Sequence, residues 1–221
     1  MTNSSRIEEQ FKLTLSFLRE YASRYKELQK SRLPVKRILI LASNPKDTSK
    51  LRLDEEVREI KEGLRRSKYR DHFEISSAWA VTFRDIRRVL LDFEPHIVHF
   101  AGHGRLDGLV VEDGRGIASI ISSDSLSKLF ELFSNQVECV ILNACNSERQ
   151  AEAISKHIDY TIGMYREIKD RSVIEFSVGF YDALGAGKNF DEAFRFGCNA
   201  IHVMEESDYL IPVLKKRKPL N

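Results

Sequence analysis

Residues 97–104 read IVHFAGHG, and residues 137–147 read VECVILNACNS. Each begins as an apolar run rich in β-branched residues and breaks at small or polar ones. Ile97–Ala101, entered through Pro95, and Val137–Asn143 are apolar on both faces. Strands of that kind belong to a parallel sheet with helices covering both sides.

The same alternation extends outward in both directions. Arg37–Ala42 (RILILA) predicts a buried strand, followed by a loop and a helix near Asp54–Ser67, on which Val57, Ile60 and Leu64 share a face. Phe73–Ala80 predicts the next strand, and Thr82-x-x-Asp85 a capping box that opens a helix to about Asp92. Leu109–Glu112 and Ile117–Ile121, joined by DGRG, read as a small hairpin inserted before a helix at about 123–134. Ser147-x-x-Gln150 is expected to cap the helix behind the 137–143 strand. Tyr160–Met164 is the fifth strand. Ser172-x-x-Glu175 and Asn189-x-x-Glu192 are expected to cap helices running to about Leu184 and Val203, and Leu210–Leu214 is a last short strand. Strands alternating with helices of this length make an α/β fold of three α/β/α layers with a mostly parallel sheet.

Ahead of it, Phe11, Leu15, Leu18, Ala22 and Tyr25 fall on one helical stripe within about Ser5–Lys30. The expected organisation is an N-terminal helical arm, 1–33, and one domain, 34–221. The 221 residues carry a net charge of +2, and this near-balance does not fit a dedicated nucleic-acid binder. Charge is nonetheless segregated: residues 1–37 hold nine Lys/Arg against four Asp/Glu, KKRK at 215–218 adds four cations, and the body between is net −7. No apolar run approaches the ~20 residues of a membrane helix, and the start is too polar for a secretory signal. Cys139, Cys145 and Cys198 lack the spacing of a disulfide framework or a zinc finger. A cytoplasmic protein without metal is expected. No GxGxxG and no Walker sequence occurs, so no nucleotide cofactor is expected either.

In an open parallel sheet, ligands bind at the carboxyl ends of the strands. There His103 follows one strand and Cys145 the next, 42 residues apart. A right-handed crossover sets such strands side by side, so an imidazole can take the proton of a thiol. The glycines flanking His103 admit close backbone approach, and the N–H groups of Gly104 and Cys145 are candidate oxyanion donors. A helix starting just after Cys145 would favour negative charge on sulfur. His99 and Cys139 lie within the strands and read as core residues.

The segments IVHFAGHG and VILNAC resemble the CHAT-domain family of caspase-like peptidases, related to separases and metacaspases. The resemblance extends over about Arg37–Ile201, through LRLDEEVREI at 51–60, Ile162-Gly163-Met164 and FSVGFYDALGAGKNFDEAF at 176–194. It implies a caspase-like fold and a cysteine endopeptidase with a His–Cys dyad, His103 as base and acid and Cys145 as nucleophile. Such enzymes cleave a protein partner, under the control of regulatory proteins or self-association, in bacterial conflict or defence. Asp170, and less directly Glu167, are candidates for an acidic pocket that accepts a basic residue before the cut. Asn146-Ser147 departs from the threonine–glycine that follows the cysteine in some members. Two readings compete with this one: a caspase-like scaffold with an idle dyad, and a nucleotide-binding domain, against which the missing phosphate loop counts.

Overall fold

In the computed structural model the described residues are 12–22, 24, 34–204 and 207–218. The chain divides into two units, Met1–Val35 and Lys36–Asn221. In the first, residues 12–22 are helical, while the ends of the expected helix, with Phe11 and Tyr25, lie outside the described residues.

The second unit is built on a six-stranded sheet. Its strands are β1 (Lys36–Ser43), β2 (Phe73–Trp79), β3 (Ile97–Gly102), β7 (Cys139–Asn143), β8 (Tyr160–Met164) and β9 (Pro212–Lys216), in the order β2-β1-β3-β7-β8-β9. All neighbours pair in parallel except β8 and β9. Successive residues of one strand enter opposite cores. Leu39 and Leu41 join the apolar layer under α2 (Phe83–Phe93), α3 (Ser123–Glu131) and α4 (Glu148–Ile154), together with the insertion. Ile38 and Ile40 join the layer under α1 (Leu53–Arg66), α5 (Asp170–Gly185) and α6 (Phe190–Met204). This is the period-2 consequence of a strand whose two faces are both covered.

The expected hairpin is a three-stranded antiparallel sheet. β5 (Gly108–Glu112) pairs with β6 (Ala118–Ser122), and the two residues after His103 add β4 (Gly104–Arg105) on the other side of β5. The capping box at Thr82–Asp85 forms with both of its bonds. At Asn189–Glu192 the backbone N–H of Glu192 reaches Asn189 Oδ1 at 2.9 Å, and the return bond is 3.3 Å.

The KKRK run differs from a solvated tail. Lys215 and Lys216 belong to β9, and their side chains alternate across the sheet. Lys215 meets Glu148 at 2.7 Å, Lys216 meets Asp191 at 2.6 Å, and Arg217 meets Asp159 at 2.9 Å. The acidic body therefore neutralises three of its four cations. Among the described residues no helix is long and apolar enough to cross a membrane.

Candidate functional site

β3 and β7 run in register from Ile97↔Cys139 to Ala101↔Asn143. His103 and Cys145 thus each stand two residues past the same rung, which brings both to the carboxyl edge of the sheet. Their backbones are in close approach: a Cβ on Gly104 would fall 2.2 Å from the Cys145 carbonyl oxygen and 2.9 Å from Ala144 Cβ. Only glycine fits between them. The turn carrying the cysteine is tight. Ala144 N–H donates to Leu142 O at 2.9 Å, and Asn146 takes φ +55°, a left-handed conformation that asparagine tolerates.

His103 Nε2 lies 2.7 Å from the carbonyl oxygen of Ser49, in the loop between β1 and α1. A carbonyl only accepts, so Nε2 carries the proton and Nδ1 is left as the basic nitrogen. Cys145 Sγ is 3.8 Å from Ile168 O, at the far side of the site. His103 and Cys145 line one cleft of about 50 Å³ with Leu51, Glu56, Asn143 and Asp170 among its other walls. That is space for one or two waters, not for a side chain. Among the described residues no group of three His, Cys, Asp or Glu is placed to hold a metal ion.

Beneath the cleft lies a buried polar cluster that the sequence reading did not find. Glu56 Oε1 accepts from Asn143 Nδ2 at 2.6 Å, Ser177 Oγ at 2.8 Å and His99 Nε2 at 3.0 Å. The other ring nitrogen, His99 Nδ1, is 3.1 Å from the Tyr181 hydroxyl. Burial pushes the Tyr181 phenol well above its ordinary range, so it stays protonated and donates. With both amide protons of Asn143 committed to Glu56 and Ser177, its orientation is fixed. Its buried Oδ1 has no partner, and the residue is part of the cleft wall. The sequence signal was present but faint: one carboxylate beside the apolar stripe of α1, and one His and one Asn at inward positions of two otherwise apolar strands.

The two pocket candidates separate. Asp170 lines the cleft, and its Oδ2 accepts the backbone N–H of Arg52 at 3.1 Å and faces Arg52 Nε at 3.4 Å. It therefore ties the start of α5 to the start of α1. Glu167 is exposed and is not part of the cleft.

Two expected caps are absent, for one reason. Ser147 Oγ donates to Leu142 O at 3.1 Å and accepts from Met164 N–H at 2.9 Å, so it clamps the cysteine turn to β8 and makes no cap. Gln150 Nε2 turns to Arg105 O at 3.2 Å. Ser172 lies inside α5 and donates to Asp208 Oδ2 at 2.9 Å. In each case a tertiary partner displaces the local one. The helix behind Cys145 is one short piece that starts three residues later, with Glu148 in its first turn, so it lends the sulfur little dipole field.

Of the remaining cysteines, Cys139 is buried in the core and Cys198 is partly buried against it. Burial drives the Cys139 thiol far up and that of Cys198 to about 12, which disfavours the thiolate at both.

The CHAT domain family model matches residues 7–197. A probable protease of Gillisia limnaea is 28% identical over 174 residues, 76% of this chain and 31% of that protein. A Roc-COR-CHAT protease from an unknown prokaryotic organism is 24% identical over 174 residues, 75% of this chain and 16% of that protein. The chain thus spans less than a third of the length of these curated relatives. Among solved structures, a secreted C11 cysteine protease from Bacteroides thetaiotaomicron, in complex with an irreversible peptide inhibitor, superposes with a TM-score of 0.57. At 14% identity it covers 78% of this chain and 59% of its own, and so it speaks to the fold alone.

Proposed function

This chain belongs to the CHAT domain family, and on that premise we propose that it is a cysteine endopeptidase with His103 and Cys145 as its dyad. Nδ1 of His103 takes the thiol proton, and the Cys145 sulfur attacks the scissile carbonyl carbon. The oxyanion that forms is held by the N–H groups of Gly104 and Cys145. His103 then gives the proton to the departing amine, leaving an acyl-enzyme. Water, deprotonated by the same nitrogen, releases the acid and restores the thiol. The observation that carries this reading is the equal two-residue offset of both side chains from the Ala101↔Asn143 rung, joined to an imidazole whose other nitrogen is occupied by Ser49.

The walls of the cleft support a basic residue before the cut. Asp170 is a part-exposed carboxylate on that wall, and an acidic body attracts cationic peptides. Asp170 is already engaged by Arg52, so a substrate cation must compete for it. A cleft of about 50 Å³ is far smaller than the few hundred Å³ that ligand sites usually offer. Control of cleavage by a regulatory protein or by self-association, as a protease of bacterial conflict pathways would need, fits a cleft this small. The same small cleft favours the second reading, a scaffold with an idle dyad.

A peptide library separates the two. Cleavage after Arg or Lys by the parent chain, lost in Cys145→Ala, is the expected result, together with labelling of Cys145 by a peptidyl electrophile that His103→Ala abolishes. Equal labelling of the parent and His103→Ala would overturn the dyad.

A further inference from the structure

We propose that the β4–β6 insertion positions the general base, and that Asp47 is the residue through which it does so. This rests on the peptidase reading for its consequence, but not for its geometry. The loop from Asn44 to Arg52 carries Ser49, whose carbonyl holds the His103 ring. Inside the loop the only ties are those of a single turn, in which Thr48 N–H and Oγ1 donate to Pro45 O at 3.1 and 2.7 Å. Ser49 itself is exposed. What fixes the loop comes from outside it. At one end Asp170 accepts the N–H of Arg52. At the other, the β5–β6 turn grips it twice: Lys46 N–H donates to Gly116 O at 3.0 Å, and Asp47 Oδ1 accepts the N–H of Ala118 at 2.9 Å.

That turn is itself stiff. Asp113 accepts from the N–H groups of Ile117 and Arg115 at 2.9 and 2.8 Å, and these bonds hold its carboxyl below the ordinary range. Asp113 N–H in turn donates to Ile117 O at 2.7 Å. The insertion also holds His103 by its main chain, because β4 starts at the next residue and Val110 N–H donates to His103 O at 3.0 Å. One rigid hairpin therefore controls both the backbone of the histidine and the acceptor of its ring proton. Removing the Asp47 carboxylate leaves the loop held to the hairpin by the Lys46 bond alone and releases the grip nearer Ser49. The Nε2 proton then loses its fixed acceptor, and the imidazole can place its proton on Nδ1, where it cannot receive another from the thiol.

The test uses the full chain, labelled with ¹⁵N-histidine, and reads the His103 tautomer by long-range ¹H–¹⁵N correlation, with His103→Ala to identify its signals. In the parent the neutral ring is the Nε2–H form. In Asp47→Ala the Nδ1–H form appears, and kcat on a cleaved peptide falls about three- to tenfold, the worth of one hydrogen bond, at unchanged KM. Asp47→Asn keeps an acceptor for Ala118 N–H and restores both. Gly116→Ala, which forces a side chain onto φ +81° beside Lys46, strains the same grip from the hairpin and moves the tautomer in the same direction. An Asp47→Ala chain that keeps the parent tautomer overturns the proposal. Absence of any peptide cleavage by the parent would instead remove the peptidase reading, and the tautomer comparison would still decide the role of Asp47.

Discussion

Removing the carboxylate of Glu56 tests whether the cluster under the cleft is closed and dry. The side chain is 3% exposed, and one oxygen receives three donors, from His99, Asn143 and Ser177. In Glu56→Ala none of them keeps that acceptor. Ser177 Oγ can still donate to Val173 O at 3.1 Å, so two buried donors are left without a partner, and at about 1–2 kcal/mol each the loss comes to about 2–4 kcal/mol before any cavity term. For a domain of this size, about 3 °C per kcal/mol converts this to a fall in Tm of about 6–12 °C. Glu56→Gln keeps the volume and one acceptor oxygen but brings two protons of its own, so it should lie between the parent and Glu56→Ala. The measurement is urea unfolding followed by far-UV circular dichroism, with the denaturant slope checked for equality among the three chains. Glu56→Ala within about 1 kcal/mol of the parent would refute the reasoning, because the donors would then be finding water that a closed cluster excludes.

Two further predictions concern the surroundings of the cleft. Gly104→Ala drives a methyl group to 2.2 Å from the Cys145 carbonyl oxygen. The nucleophile turn must shift by about 1 Å, and labelling of Cys145 by a peptidyl electrophile should slow about a hundredfold, while parent-like labelling would show that the two backbones are not locked. His96 accepts the N–H of Arg37 at Nδ1, 3.0 Å, and burial holds its pKa below the usual 6.5. The unfolded chain then binds the proton more readily than the folded one, so stability is highest above pH 6.5 and declines as pH falls below it. Urea midpoints at pH 7.5 and 5.5 should show that decline, and His96→Asn, which keeps an acceptor, should flatten it.

What the sequence disclosed was set by the range of the forces involved. Tyr160–Met164 has the bounds its apolar run predicts, because strand burial is written in consecutive residues. His103 and Cys145 were legible as a pair because both follow strands that the parallel topology sets side by side. The buried cluster was not, since Glu56 meets Asn143 across 87 positions of sequence. Ser147 and Ser172 misled for the opposite reason. Their local pattern is that of a cap, and only the fold supplies Met164 N–H and Asp208 as stronger competitors. Asp170 was placed at the right edge of the sheet, but its bond to Arg52 depends on a helix 118 positions away.

The outermost strand, β9, has a consequence for how copies of this chain can meet. An unpaired sheet edge invites a strand from another molecule. Here that edge carries Lys215 and Lys216, pointing to opposite faces, with Arg217 beyond them. A second β9 laid alongside would set the cations of both copies in competition for Glu148, Asp191 and Asp159. An added strand would therefore have to break or share ion pairs already made within this unit.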